Sequence, residues 1–569
     1  MRLRTVKSKN SEHYAIITDC IVNNKKTTRI HENLGNLKQV KNRFGEVDYL
    51  DNIKSYIKDL NISHKDKKNL LIPHDQNKKI ELDKQNSFNA GYLFLQDIYY
   101  KLRLHSICDS ITDRYQFKFD LNDILSKLIY SRIIYPNSKL STLESSKKFI
   151  EQPNFELQHI YRALQIVAKE NDFIQSELYK NSLKLSKRNT GVLYYDCTNY
   201  FFEIEEADGL KQYGKSKENK PSPIVQMGLF MDGDGIPLAF DITAGNTNEQ
   251  VTLKPLEKQI IKDFELSKFI VVTDAGLASN ANRKFNDEQG RAFITTQSVK
   301  KLKKHLMDWA LSEDGWSLSG INKKFNINDI KESLHKDKIF YKERWINENG
   351  LEQRLIVTYS IKYRDYHKNI RNAQIERAQK LINSSPARLG KINQNDFKRF
   401  ILKTNITSDG VVAEEAVYEI DERLINKESK FDGFYAVCTN LEDDVSEIVK
   451  INRRRWEMEE SFRIMKSEFE ARPVYLQRDD RIKAHFTTCV LALIIYRYLE
   501  KRLNEKYTVT EIINTLRDMN LKEYQECGYT PNYKRTKLTD ALHEEFGFNT
   551  DFEIISHKNF NKICKATKR

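Results

Sequence analysis

Paired cysteines are what this chain most clearly lacks. The seven present (Cys20, Cys108, Cys197, Cys438, Cys489, Cys527 and Cys564) are odd in number, and no two have the Cys-x-x-Cys spacing. This argues against a zinc site or a disulfide framework and points to a reducing cytoplasm. Long hydrophobic runs are also missing. The longest, Cys489–Tyr496, is too short to span a bilayer and reads as a buried helix segment, so no membrane association is expected. The opening Met-Arg-Leu-Arg-Thr-Val-Lys lacks the apolar core of a signal peptide. No internal repeat is visible.

What is present bounds the answer further. At 569 residues the chain is too long for one core, and two to four domains are expected. A 39% hydrophobic content is enough for real cores, and 28 Tyr and 29 Phe argue against a disordered chain. The 94 basic residues exceed the 80 acidic ones to give a net charge of +14, which favours an anionic partner, by default nucleic acid. The charges are well mixed, so much of this is ordinary solvated surface.

Along the chain, residues 1–60 read as a small β module. Tyr14–Val22 is β-rich, Asn23–Lys26 is a turn and Thr27–Ile30 a returning strand. Residues 61–90 are polar and read as a linker. Residues 91–188 read as a helical, DNA-binding region, with helices over Ala90–Leu104 and Leu121–Ile134 and Pro136 closing the second. From Gly191 the pattern changes. Strands are expected at Val192–Phe202, Ile224–Met231 and Ile236–Thr243, the last two joined by the turn Asp232-Gly233-Asp234-Gly235. A helix over 249–263 follows, then a short buried strand Phe269–Thr273, a helix from Asn280, and a strand Arg291–Thr296. Three antiparallel strands, helix, strand, helix, strand is the order of a ribonuclease-H-like α/β mixed-sheet core, with the fourth strand parallel to the first. Residues 189–299 form its first part. Residues 300–432 read as a mainly β insertion with a hairpin around Asn347–Gly350 and a long charged helix over 361–383. Residues 433–503 read as the second part of the core, and 504–569 as a basic C-terminal tail region.

The stretch 452–466 (Asn-Arg-Arg-Arg-Trp-Glu-Met-Glu-Glu-Ser-Phe-Arg-Ile-Met-Lys) carries the most information. On one continuous helix, with Arg455 as zero, Glu459 falls at about 40° and Lys466 at about 20°. Ile451, Met458, Phe462, Met465 and Phe469 form an apolar seam beside them. The ordinary reading is an amphipathic helix with a charged flank. Two further carboxylates change the balance. Asp196 lies inside a strand that otherwise wants burial, where an uncompensated charge is costly. Asp274 ends the short strand expected next to it. Two anions so placed repel each other, and a divalent cation with a preference for hard oxygen ligands, Mg²⁺ or Mn²⁺, resolves the repulsion. Glu459 is the candidate third ligand. Glu457 and Glu460 fall at about 200° and 140°, away from the seam. Each residue alone has a simpler role: a turn or cap for either aspartate, or an ion pair with a buried Arg or Lys for Asp196.

Four stretches, YYDCTNYFFE (194–203), GLFMDGDGIPLAFDITAGNTNE (228–249), VVTDAGLAS (271–279) and RRRWEMEESFRIMKSEFEARPVY (453–475), resemble bacterial insertion-sequence transposases of the DDE class. RIIYPNSK (132–139) and FDGFYAVCTN (431–440) extend the similarity. Arg455, Glu459 and Lys466 keep the spacing of the Tyr-Arg-Glu-Lys signature of one transposase group, while its leading Tyr falls on Asn452. The resemblance implies a DNA transposase, with Asp196, Asp274 and Glu459 as catalytic residues and ligands of two Mg²⁺ (or Mn²⁺) ions. It implies DNA contacts from Arg455, Lys466, Arg463 and the Asn452 position. The implied partners are double-stranded DNA, as transposon ends and target, and a second copy in a homodimer on paired ends. The implied location is the bacterial cytoplasm, at the nucleoid. Lys215 and Lys217 are further phosphate candidates, set against a plain solvated loop; Asn246 and Thr247 either shape the site or cap the next helix. His485 reads as a packed histidine. Two rival readings remain: a metal-dependent nuclease that cuts without joining, and an inactive or repurposed transposase that only binds DNA.

Overall fold

The computed structural model describes residues 1–8, 11–22, 25–64, 77, 79–384, 396–406, 412–524 and 527–569. The expected turn at Asn23–Lys26 and the expected linker 61–90 lie partly outside these residues. The chain forms two compact units.

The first unit comprises Met1–Asp97, Lys147–Gln152 and Glu511–Arg569. Strands Arg2–Ser8, Ser11–Val22 and Lys25–Asn36 make an antiparallel sheet. Helices Leu37–Phe44 and Tyr49–His64 close over it around Tyr14, Ile16, Leu34, Val40, Ile53 and Ile57. Far later residues return to this unit: Asn520–Tyr524 pairs with both Ser87–Asn89 and Gly528–Pro531.

The second unit comprises Ile98–Ser146 and Pro153–Thr510. Helices α1 (Leu121–Ile134) and α2 (Asn171–Leu185) precede the sheet. Strands β1 (Val192–Phe201), β2 (Ile224–Asp232) and β3 (Pro237–Ala244) form an antiparallel meander. After α3 (Glu249–Asp263), β4 (Ile270–Thr273) pairs in parallel with β1, and β5 (Ala292–Gln297) pairs in parallel with β4. The order β5-β4-β1-β2-β3 is the ribonuclease-H-like arrangement, and it follows from simple constraints. The Gly-rich turn joins β2 to β3 as a hairpin, whereas a parallel strand needs a helical crossover.

Beyond β5 the sheet continues. Strands β6 (Trp316–Leu318), β7 (Ile321–Phe325), β8 (Phe340–Glu348), β9 (Leu351–Tyr359) and β10 (Phe434–Thr439) complete ten strands in the order β7-β6-β8-β9-β10-β5-β4-β1-β2-β3. The hairpin inside the insertion is thus part of the same sheet as the core. Its turn places Asn349 and Gly350 at φ of 55° and 73°, the positive values that a two-residue hairpin turn requires and that Asn and Gly tolerate. A long helix, α4 (Ile361–Ser384), follows β9. The outer edge at β3 is covered by Gln175 of α2, whose amide donates to the Phe240 carbonyl (3.3 Å) and accepts from the Phe240 N–H (2.8 Å).

The expected single helix around Glu459 is corrected. It is three pieces: α5 (Val445–Arg453), α6 (Trp456–Arg463) and a π-helical turn Ile464–Glu468. Arg454 and Arg455 donate to the carbonyls of Ile451 and Asn452, three residues back, which tightens the chain between α5 and α6. At the other end the Phe469 N–H reaches the Ile464 carbonyl, five residues back. Helix α7 (Asp479–Arg502) runs behind, almost wholly buried along its apolar length. By length and composition alone it is able to cross a membrane, but that length is the core of this unit. His485 on α7 is buried, with Nε2 3.2 Å from the Ala471 carbonyl.

Candidate functional site

Side chains alternate along β1. Leu193, Tyr195 and Cys197 pack against Leu253, Leu256 and Ile260 of α3. Tyr194, Asp196 and Tyr200 therefore face the opposite side. There the Tyr194 hydroxyl donates to the Ile451 carbonyl of α5 (2.9 Å), and the Tyr200 ring lies 4.7 Å from that of Phe486 on α7. Asp196 thus faces the layer that holds Glu459.

The parallel register places Asp274. Tyr194 is matched with Val272, so each aspartate lies two residues beyond a matched pair, Asp196 in the middle of β1 and Asp274 just past the carboxyl end of β4. Ligand sites of open α/β sheets favour that end. The Asp274 Oδ1 accepts the Leu277 N–H (2.9 Å), and Asp196 Oδ1 accepts the Cys197 N–H (2.7 Å). Asp196 is pushed up to about 6. Burial is the main cause and the charge of Asp274 adds to it, while Lys217, the Cys197 N–H and Arg455 pull the other way.

Three cations surround this pair. Lys217 donates to the Cys197 carbonyl and lies 3.4 Å from Glu249 at the start of α3. Lys466 sits 5.5 Å from the Tyr200 ring centre and 3.4 Å from Glu218, which also pairs with Arg472. Burial first, then the charge of Lys217, lowers Lys466 to about 8, and Asp196 partly opposes this. Because Lys466 lies in the π-helical turn, its expected ideal-helix offset from Arg455 does not apply; these contacts set its place instead. Arg455 donates to the Thr296 hydroxyl on β5 (3.0 Å).

Glu459 is exposed on α6, and no hydrogen bond or ion pair among the described residues engages it. Its rivals are committed elsewhere: Glu457 to Arg454 (2.9 Å) and Glu460 to Arg497 (3.1 Å). Met458 and Phe462 hold the helix by their burial. Among the described residues, no three His, Cys, Asp or Glu side chains are grouped closely enough to hold a metal ion. The two aspartates are brought together; Glu459 stands on the facing helix without closing the group. Arg463 is largely exposed and 3.4 Å from Glu460. Asn452 is buried, and its amide donates to the Tyr435 hydroxyl (2.9 Å). The cap of α3 is Asn248, which accepts from Gln250, rather than Asn246 or Thr247. Lys215 stays exposed in its loop.

Residues not singled out in the sequence complete the surroundings. Glu218, Glu249, Thr296 and Tyr435 come from separate segments; Glu249 and Tyr435 lie inside the stretches 228–249 and 431–440, but nothing in the spacing marks any of the four. Lys217 carried a weak signal, as one of several lysines in YGKSKENKP.

Residues 200–495 match the family described as transposase DDE domain, just over half of the chain. That span begins just after Asp196 and includes Asp274, Arg455, Glu459 and Lys466. No curated protein matches in sequence. Among solved structures, the piggyBac transposase synaptic complex with hairpin DNA is similar over 84% of this chain and 83% of its own, at 7% identity and a TM-score of 0.35. The Mos1 transposase paired-end complex with left transposon end is similar over 44% of this chain and 68% of its own, at 10% identity and a TM-score of 0.13. On the strength of the domain match, the chain belongs to the DDE transposase family.

Proposed function

We propose that this protein cuts DNA at the ends of its own element and joins the freed 3′-hydroxyl ends to target DNA. The observation that carries the reading is the placing of Asp196 and Asp274 side by side from adjacent parallel strands, facing α6, which has Arg455 at its start and bears an unpaired Glu459. The donor set suits a hard divalent cation: it consists of oxygens only, with Asp196 stripped of much of its water and destabilised by Asp274. Asp196, Asp274 and Glu459 would hold Mg²⁺ or Mn²⁺, two ions when the site is full. Metal bound there would supply activation of the attacking hydroxyl and stabilisation of the leaving oxygen in an in-line displacement.

The chain's own residues do the rest. Arg455 offers a planar fork to a phosphate, and Lys466 and Lys217 offer point charges beside the aspartates. The net charge of +14 draws double-stranded DNA to the surface. Two copies on paired ends would place both cuts in one assembly, in the reducing cytoplasm of a bacterium and at its nucleoid.

The test uses purified protein, Mg²⁺ and duplexes from the DNA flanking its coding sequence. Cutting and joining are expected. Asp196→Asn, Asp274→Asn and Glu459→Gln should each reduce both to background while DNA binding persists. Cutting without joining would favour a nuclease, and binding without either an inactive transposase. Near-normal cleavage by one of the variants removes that residue from the site.

A further inference from the structure

Four side chains beside the aspartates form a continuous hydrogen-bonded line. Asn452 Nδ2 donates to the Tyr435 hydroxyl (2.9 Å), Tyr435 and Thr296 share a hydrogen bond (2.7 Å), and Arg455 Nη1 donates to Thr296 Oγ1 (3.0 Å). Thr296 is on β5 and Tyr435 at the edge of β10. Val437 is matched with Thr296 in the antiparallel register, so Tyr435, two residues away, projects on the same face as Thr296. The line joins three distant segments on the side of the sheet where the charge of Arg455 acts on Asp196.

Counting hydrogens shows what the line has left over. An arginine only donates, and Asn452 faces Tyr435 with its NH₂, so both ends feed hydrogens inward. Between them stand two hydroxyls with two O–H hydrogens. One is spent on the bond they share. The other has no partner among the described residues, whichever hydroxyl carries it. Asn452 is buried, but Thr296, Tyr435 and Arg455 are partly exposed. The spare hydrogen is therefore free to meet an incoming acceptor on the side where the guanidinium is also presented.

We propose that the Thr296–Tyr435 hydroxyl pair, together with Arg455, is a binding subsite for a non-bridging oxygen of a DNA backbone phosphate. The ligand class follows from the chemistry: a free hydroxyl hydrogen and a guanidinium outweigh the one hydroxyl lone pair left over, and suit a monoanionic oxyacid better than a cation. The subsite rests on the reading of this protein as a DNA-processing enzyme. It also gives Tyr435 a task that its position in the sequence does not reveal. The phenol that the Asn452 position lacks is present in space, supplied from β10 and held by that asparagine.

The experiment measures binding of a labelled duplex, taken from the DNA flanking the coding sequence, to the full chain. Single neutral methylphosphonates are placed along the duplex one position at a time. For the wild-type protein one such position should weaken binding roughly tenfold or more, as expected for a lost charge-assisted hydrogen bond. The double variant Thr296→Val/Tyr435→Phe should bind the unmodified duplex about tenfold more weakly and lose much of its sensitivity to that position, keeping only what Arg455 contributes. Thr296→Ser keeps its hydroxyl and should bind as wild type. Tyr435→Phe alone releases the Thr296 hydrogen and should lose less than the double variant; if the double variant does not fold, Thr296→Ala/Tyr435→Phe, which removes both hydroxyls without adding a branched side chain, takes its place with the same expected outcome. The proposal is overturned if the double variant binds as tightly as wild type, or if its methylphosphonate profile matches the wild-type one. That is the result when Asn452 presents its oxygen to Tyr435, leaving no spare hydrogen. A wild-type protein that does not bind the duplex at all sinks the functional reading itself, and this subsite with it.

Discussion

The Lys217 ammonium donates to the carbonyl of Cys197, the residue that follows Asp196 in β1. A cation is thereby fixed beside a carboxylate that burial has raised to about 6. The two influences oppose each other: burial favours the protonated acid, and Lys217 favours the anion. Lys217→Met should therefore raise Asp196 further. Protons and metal ions compete for the same carboxylate, so the acid limb of Mn²⁺ binding should move to higher pH by up to about one unit. Calorimetric titration with Mn²⁺ from about pH 5 to about pH 8 reads this directly. A limb that stays put or moves toward acid would show that Lys217 does not act on Asp196.

The same carboxylate should cost the metal-free protein stability. The folded value of Asp196, about 6, lies above its ordinary 3.8. Between these values the folded protein binds more protons than the unfolded chain, so stability falls as pH rises through that window and stays low above it. Asp196→Asn removes the charge. It should raise the thermal midpoint near pH 7 without Mg²⁺, through a gain of order 1–3 kcal/mol, and the gain should vanish near pH 4. Equal gains at both pH values would mean that something other than ionisation limits stability here.

The core strands were legible because their side chains announce both period and ends. VLYYDCTNYFF is too apolar and β-branched or aromatic for a loop, and Asp232–Gly235 leaves little choice but a hairpin. Helix Leu121–Ile134 was equally plain, closed by Pro136. The turn between Arg453 and Trp456 was not, because Arg-Arg-Trp contains no residue that breaks a helix; packing on β1 decides it. Nor does periodicity name a strand's neighbour, so the joining of β8–β9 to the core sheet through β10 could not be read from the hairpin itself. In the site, the carboxylates and the Arg455–Lys466 spacing were visible as motif. Tyr435 lay inside the stretch FDGFYAVCTN and Thr296 inside an expected strand, yet neither was marked for the site, since their meeting depends on the β5–β10 register across the insertion.

Gly228 is the residue of β2 matched with Cys197. A Cβ there would lie 2.3 Å from the Tyr195 hydroxyl, which is itself 2.6 Å from Thr252 on α3. The atom in the way is the tip of a rigid buried ring, so relief requires the ring, the strand or α3 to move. Gly228→Ala should cost about 1–3 kcal/mol in urea unfolding. Pairing it with Tyr195→Phe, which removes the clashing oxygen, should recover part of the loss. No recovery would place the strain elsewhere.

Arg188 and Asp232 form a fully enclosed ion pair, Nε to Oδ2 at 2.6 Å, with side chains 2% and 0% exposed. The surrounding bonds explain why burial is tolerated. Arg188 also donates to the Ser182 hydroxyl and to the carbonyls of Ile236 and Pro237, while the other Asp232 oxygen accepts the N–H groups of Asp234 and Ile236. The pair thus ties α2 to the β2–β3 turn and holds the meander that carries β1. Arg188→Leu strands a carboxylate without its counter-charge and should destabilise by about 3–5 kcal/mol. Asp232→Asn keeps an oxygen for the turn N–H groups but leaves the guanidinium unpaired. Because a guanidinium keeps its carbonyl acceptors at Ile236 and Pro237, the asparagine variant should lose less than the leucine one. Urea unfolding followed by tryptophan fluorescence gives both values. If Asp232→Asn proves the more damaging, the carboxylate rather than the arginine organises this corner, and the turn should be sought as the element that forms around it.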